Sequence, residues 1–428
     1  MAVRRRPRPG PGSTLPALAL LALVLGVAYT YYETPLFEAG FAAAGIPPAP
    51  PQHVWTADLP EGWWPASGGP ITVSVGDRRI VVAKATAGGV DAAWYDRFGF
   101  ATARHNLTPA PAAWMTAGQV LAAVVPGDGA GETTLQLLDL ESLPGGWTWR
   151  PEGPASAIVL AGPAGGAPAA GEGGGDPGIA IAAYGAPSGP DLVPDQLVVL
   201  DLTEHGLEIR WSAAYDSLRL VQALGGPGGL AALTVDPASG RFTIDLWTWD
   251  GARAWRSEPL DAMPRLLTVG AGAGALGAGA PTAYVLHGAG VMLMGPGAGR
   301  PPESERVAAL EAEPTLCWPV ASGAACTLGA AAVRAGSGPA PTEQVAFIGP
   351  GFRTAVRAVD PGTVIGPWPG HGALLVSGST LSALDVLGTR WTLELPLAPR
   401  ALAAGRDGLA VTDGRRLAWL RWPPEGVP

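Results

Sequence analysis

The sequence predicts an all-β chain: an eight-bladed β-propeller, with seven blades as the alternative, behind an N-terminal transmembrane helix. Three observations predict it. A unit of apolar strand, Asp/Gly turn and Trp-bearing strand recurs between Ile71 and Trp422. Its period of roughly 40 to 50 residues is that of architectures whose repeats stack to share a core. Gly 62 and Pro 45 make about a quarter of the 428 residues, and most of them punctuate short apolar runs, as in a many-turned β-protein. Finally, one uncharged apolar stretch, Leu15 to Tyr32, stands apart from the repeats.

Residues 1–14 form a basic N-terminus carrying Arg4, Arg5, Arg6 and Arg8. Residues 15–32 are apolar except for Thr30, and a span of about 18 residues is enough to cross a bilayer as a helix. Arginines before the span and Glu33 after it favour a cytoplasmic N-terminus, with Tyr29, Tyr31 and Tyr32 at the outer interface. The alternative is a cleavable signal peptide with Leu15 to Val27 as its core and Gly26-Val27-Ala28 as its site. Either way the rest of the chain is expected outside the cytoplasm: on the cell membrane by the first reading, secreted by the second. Residues 33–51 read as a stalk ending in the stiff run Pro47-Pro48-Ala49-Pro50-Pro51.

Residues 52–428 are expected to be the propeller. First strands fall near Ile71 to Val75, Ala112 to Thr116, Ala155 to Leu160, Leu218 to Ala223, Arg265 to Val269, Thr315 to Val320, Val364 to Trp368 and Arg400 to Ala404. The last unit lacks an outer strand, and Gln52 to Leu59 precedes the first unit without partners of its own. Pairing 52–59 with the last unit would close the ring and leave no sheet edge open. Cys317 and Cys326 flank a hairpin turn at Ala321-Ser322, which sets the thiols opposite each other. An oxidising exterior would favour a disulfide there, closing a short loop worth roughly 2–3 kcal/mol; buried free cysteines are the alternative.

The clearest copies are Leu200-Asp201-Leu202-Thr203-Glu204-His205-Gly206-Leu207-Glu208-Ile209-Arg210-Trp211 and Leu384-Asp385-Val386-Leu387-Gly388-Thr389-Arg390-Trp391. These resemble the PQQ-like (quinoprotein-like) propeller repeat. The resemblance covers most of residues 52–422 but is specific in two or three units. It implies an eight-bladed fold with Trp55, Trp211, Trp255 and Trp391 as blade anchors packed between blades. It does not imply a cofactor: the family's dehydrogenases use adjacent cysteines, and Cys317 and Cys326 depart from that pattern.

Motifs that carry chemistry are weak. Gly272 to Gly277 spells a dinucleotide fingerprint but is followed by Pro281 and a strand, not a helix. His53, His105, His205, His287 and His371 are scattered, with no metal-ligand spacing. Carboxylate pairs such as Asp201 with Glu204 fall in turns, where Asp caps the backbone. Trp247 with Trp249, and Trp419 with Trp422, read more readily as core than as exposed aromatic patches. A net charge of −9, with no basic run outside the N-terminus, argues against nucleic acid. No residue is assigned a catalytic, cofactor or metal role, and no cofactor is expected.

The second-to-third strand connections open on one rim, and two of them are long: Gly185 to Asp195, and Ala335 to Glu343. Loops on a rigid scaffold are where binding tends to be placed, so Asp191, Asp195 and Glu343 are the candidate partner-binding residues. The expected function is a membrane-anchored protein-binding or assembly scaffold at the cell envelope. The alternatives are an extracytoplasmic hydrolase, lyase or quinoprotein with its site in the central channel, or a carbohydrate-binding module.

Overall fold

The computed structural model describes residues 49–61, 71–76, 78–111, 113–117, 120–126, 133–138, 147–150, 157–160, 181–185, 195–203, 206–226, 228–271, 281–287, 290–296, 314–320, 323–328, 343–348, 354–360, 362–368, 370–405 and 407–423. The expected transmembrane span 15–32 and most of the stalk lie outside these residues, and among the described residues no helix is long and apolar enough to cross a membrane.

Among the described residues thirty-one strands make eight antiparallel sheets. The first strand, β1 (Gln52–Asp58), belongs to the last of them. Sheet 1 holds β2 (Ile71–Val75), β3 (Arg79–Thr86), β4 (Gly89–Asp96) and β5 (Ala101–Leu107). Sheet 2 holds β6 (Ala113–Ala117), β7 (Val120–Pro126), β8 (Thr133–Leu138) and β9 (Trp147–Trp149). Sheet 3 holds β10 (Ala157–Leu160), β11 (Ile181–Gly185), β12 (Asp195–Thr203) and β13 (Gly206–Tyr215). Sheet 4 holds β14 (Arg219–Gly226), β15 (Gly229–Val235), β16 (Phe242–Trp247) and β17 (Arg253–Arg256). Sheet 5 holds β18 (Arg265–Ala271), β19 (Pro281–His287) and β20 (Gly290–Met294). Sheet 6 holds β21 (Pro314–Val320), β22 (Gly323–Leu328), β23 (Glu343–Ile348) and β24 (Thr354–Val359). Sheet 7 holds β25 (Val364–Trp368), β26 (Gly372–Ser377), β27 (Thr380–Asp385) and β28 (Gly388–Glu394). Sheet 8 joins β29 (Ala401–Ala404), β30 (Gly408–Thr412) and β31 (Arg416–Arg421) to β1, which pairs with β31 from Gln52↔Arg421 to Asp58↔Arg416.

Seven sheets are therefore complete four-stranded blades, the alternative count drawn from the sequence. Sheet 5 departs from the expectation of eight equal blades, with only three strands among the described residues.

The core is not one mass but a ring of layers between neighbouring sheets. Ile80 and Val82 of β3 pack toward sheet 8 with Trp419, while Val81 and Ala83 pack toward sheet 2 with Leu121 and Ala123. Successive side chains of a strand point to opposite faces. A strand sandwiched on both faces is then apolar along most of its length, which is why the second strands read as largely apolar runs, with Lys84, Thr234 and Thr282 among the buried exceptions. β15 repeats the arrangement, with Leu230 and Ala232 toward sheet 3 and Ala231 and Leu233 toward sheet 5. A cluster of this kind bridges each of the other neighbouring pairs as well, including sheets 7 and 8, so the ring is closed. The fold is an all-β propeller.

Candidate functional site

The strand order fixes two faces. First-to-second and third-to-fourth strand connections emerge on one, here the lower face; second-to-third and fourth-to-first connections emerge on the upper. β1 begins on the lower face, because Gln52 is opposite Arg421, which is itself opposite Gly408 at the start of β30.

The lower face carries a repeated docking device. In sheet 1 the turn Asp96-Arg97-Phe98-Gly99-Phe100 is closed by bonds from Asp96 N to the Phe100 carbonyl (3.0 Å) and from Gly99 N to the Asp96 carbonyl (3.2 Å). Asp96 Oδ1 accepts the amides of both Phe98 and Phe100 at 2.9 Å. Trp55 of sheet 8 donates its indole N–H to the Arg97 carbonyl at 2.8 Å. Its ring lies over Gly99, whose φ is +90° and where a Cβ would come within 2.9 Å of the indole. Glycine is required there twice over, for the left-handed backbone and for the close approach.

Sheet 4 repeats the device position for position, with other side chains around the glycine. Trp211 of sheet 3 donates to the Trp249 carbonyl at 3.0 Å and covers Gly251, with φ +89° and an added Cβ 2.8 Å from the ring. Thr248 N bonds the Ala252 carbonyl at 2.9 Å, as Asp96 bonds Phe100. Trp391 of sheet 7 has its ring 6.3 Å from Trp422 in sheet 8, and Trp255 packs against the apolar layer between sheets 4 and 5.

The repeat's acidic residues are spent on bracing. Asp201 takes Arg210 Nε at 2.8 Å, and Asp385 takes Arg390, so in both clear copies the Asp holds the Arg that precedes the docking Trp. Asp245, with no exposed surface, accepts Arg256 Nε and Nη2, both at 2.6 Å. Arg97 donates to the Gly76 carbonyl at 2.9 Å, pairs with Asp407 at 3.2 Å and sits 4.9 Å above the Trp419 ring, tying sheets 1 and 8 together.

Asp195 is not the exposed loop carboxylate that the sequence suggested. It opens β12 with 2% exposure, accepting Arg219 Nη1 at 3.1 Å and Leu220 N at 2.6 Å, and so stitches sheet 3 to sheet 4. Asp191 lies outside the described residues. Glu343 is the first residue of β23, and its side chain lies outside them too. Cys317 and Cys326 are opposite each other across β21 and β22 and are joined by a disulfide. Trp419 is fully buried, and Trp249 and Trp422 donate to the Gly226 and Gly405 carbonyls at 3.1 and 3.0 Å, so these rings are packing and bonding elements rather than an exposed patch.

Among the described residues no group of three or more His, Cys, Asp or Glu could hold a metal ion. The stretch 272–277 lies outside them. Burial pushes the Tyr95 phenol up to about 12 and raises Tyr215 and Tyr284 further. Burial also holds His371, beside Trp368 at 5.1 Å, below its usual range against the opposing pull of Asp385.

Sequence reasoning missed the exposed tip of the sheet 1 turn. Phe98 is 78% and Phe100 69% exposed; the signal was two phenylalanines flanking a turn glycine, where polar residues are usual.

These features define a β-propeller. No family model matches the chain, and no curated protein matches it. Among solved structures it is similar to Sqt1 from Saccharomyces cerevisiae, at 9% identity and a TM-score of 0.44, covering 88% of this chain and 100% of that one. It is also similar to BamB from Moraxella catarrhalis, at 12% identity and TM-score 0.34 over 89% and 100%. A third is BBS1N, solved in complex with ARL6DN, at 12% identity and TM-score 0.38 over 87% and 97%.

Proposed function

We propose that the chain is a membrane-anchored, extracytoplasmic propeller that binds a protein partner through its upper rim. The observation that carries the reading is the unequal size of the connections there. Sheets 1 and 7 turn from second to third strand through Ala87-Gly88 and Gly378-Ser379. The chain between β11 and β12 instead runs over residues 186–194, and between β22 and β23 over 329–342. Long connections on a braced scaffold are suited to recognition. Asp191 on the first, and Glu343 where the second ends, supply negative charge for a basic patch on the partner. In this reading sheet 5 is an eighth blade, and the repeat is of the PQQ-like kind without its adjacent-cysteine cofactor site. The apolar span 15–32 holds the ring beside the membrane.

The test is photocrosslinking in native membranes. A photoreactive residue at 191 is expected to yield one discrete adduct that the same group at Ser379, on a tight turn of the same rim, does not. Equal or absent adducts at both positions would reject the rim as a docking surface. Extraction of the protein by alkaline carbonate would reject the anchor.

A further inference from the structure

The sheet 1 turn displays more apolar surface than its architecture needs. The equivalent turn of sheet 4 has the same backbone bonds and the same docked Trp, yet Asp250 and Ala252 stand where sheet 1 has Phe98 and Phe100. The fold therefore does not demand phenylalanine there. In sheet 7, Leu387 follows Asp385 and Val386 at the same turn position, its amide bonded to Asp385 Oδ1 at 2.8 Å as Phe98's is to Asp96. It too is an exposed hydrophobic residue.

Of the third-to-fourth strand turns among the described residues, those of sheets 1 and 7 carry these apolar tips and that of sheet 4 does not. Sheets 7, 8 and 1 are consecutive, and sheet 8 is where β1 starts, on the same lower face. The exposed apolar tips thus flank the point at which residues 33–51 join the propeller, while Asp250 marks the far side of that face. Between Tyr32 and Gln52 lie nineteen residues, a tether that spans at most about 65 Å fully extended. That length lets the lower edge reach the bilayer from which the apolar span would emerge. The Phe98 turn is also preformed, held by the Asp96 carboxylate, the Gly99 bend and the Trp55 clamp, so its backbone needs no ordering on contact.

We infer that the Phe98–Phe100 turn, with Leu387, is a lipid-contact edge that rests the propeller on the bilayer interface and points its upper rim away from the membrane. Exposed aromatic rings on rigid turns partition into the interfacial region of a bilayer. The inference rests on the anchored reading above and adds which edge faces lipid.

The experiment uses the full chain reconstituted into phosphatidylcholine vesicles, with a nitrobenzoxadiazole label at Phe98→Cys, Asp250→Cys or Ala87→Cys. The last lies on the upper rim of sheet 1. Flotation with the vesicles reads the anchor; quenching by doxyl groups on the lipid chains reads contact. Quenching several-fold stronger at position 98 than at 250 or 87 is the expected result. A chain that floats but is quenched alike at all three positions overturns the edge assignment and leaves the anchor standing. A chain that does not float overturns the anchor and the assignment with it. A label at 98 that escapes the lipid quencher and crosslinks to a second copy also overturns it, in favour of self-association. The double variant Phe98→Asp/Phe100→Ala copies the sheet 4 turn and so keeps the fold. It is expected to float as before while a label at Leu387→Cys loses most of its quenching; unchanged quenching there counts against a shared edge.

Discussion

Gly251→Ala tests whether the docked tryptophan, and not the turn alone, requires glycine. Forcing an L-residue into the left-handed backbone at φ +89° costs about 1–2 kcal/mol. The new Cβ would sit 2.8 Å from Trp211 Cγ and 3.0 Å from Cδ1, so the indole must move. Moving it weakens the bond to the Trp249 carbonyl and the stack on Trp247, whose ring is 5.4 Å away; each is worth about 0.5–1.5 kcal/mol. The expected loss is roughly 3 kcal/mol. Gly240→Ala is the matched control. It lies in the same sheet at φ +71° with nothing within 4 Å of the added methyl, so it carries the backbone cost of about 1–2 kcal/mol alone. The assay is equilibrium urea unfolding at constant m-value, with a double-mutant cycle to Trp211→Ala. In the Trp211→Ala background, Gly251→Ala is expected to fall to the cost of the control. A Gly251→Ala loss no larger than that of Gly240→Ala, or one unchanged by removing Trp211, would refute the clash argument.

Three further outcomes follow from the same structure. Arg256→Ala strands the Asp245 carboxylate in a site with no exposed surface and is expected to cost about 3–5 kcal/mol. Asp245→Asn leaves only the half-exposed guanidinium of Arg256 and costs less, an order that urea midpoints would read. Tyr95 is held protonated, its phenol raised from 10 to about 12. Its contribution is fully present below pH 10, the unfolded value, and is lost as pH rises toward 12; an alkaline titration followed by phenolate absorbance should show late, unfolding-coupled ionisation that shrinks in Tyr95→Phe. Replacing Cys317 and Cys326 together by alanine opens a short loop across a separation of 9 residues, with an expected loss of about 2 kcal/mol, measured against the parent in urea without reductant.

Much of the fold was legible because strand periodicity and turn chemistry are local. All eight expected first strands overlap β2, β6, β10, β14, β18, β21, β25 and β29, since each is a short apolar run set off by Pro or Gly. Burial on both faces made the second strands legible for the same reason. What each Trp touches was not legible. The partner of Trp55 is a carbonyl 42 positions away and that of Trp211 one 38 positions away, and no local signal encodes which turn of the next sheet will lie beneath a ring. Asp195 failed for a related reason. A carboxylate at the end of a Pro/Gly-rich segment reads as exposed, but its bonds to Arg219 and Leu220 arise only once sheets 3 and 4 are side by side.

The docking device also explains why the repeat is faint in sequence although neighbouring sheets pack in the same way. Sheets 8, 3 and 6 each place a side chain on the third-to-fourth strand turn of the next sheet, but the chemistry of that side chain is loosely constrained. Sheets 8 and 3 use an indole over glycine. Sheet 6 has no Trp in β24, and Arg357 donates to the Val386 carbonyl instead, at the turn position that Arg97 and Trp249 hold elsewhere. At sheet 8 the fourth strand is β1, so no such turn exists, and Trp391 packs against Trp422, whose own indole is pinned to the Gly405 carbonyl. Three solutions to one contact leave a family pattern only where Trp was kept. It follows that residues facing the docked side of these turns report on assembly of the ring, and residues on their outer side are free of that demand. Asp250 and Ala252 show what the outer side looks like when nothing else acts on it. Phe98 and Phe100 depart from that baseline at the turn beneath Trp55 of β1, where they expose rings that the fold itself does not require.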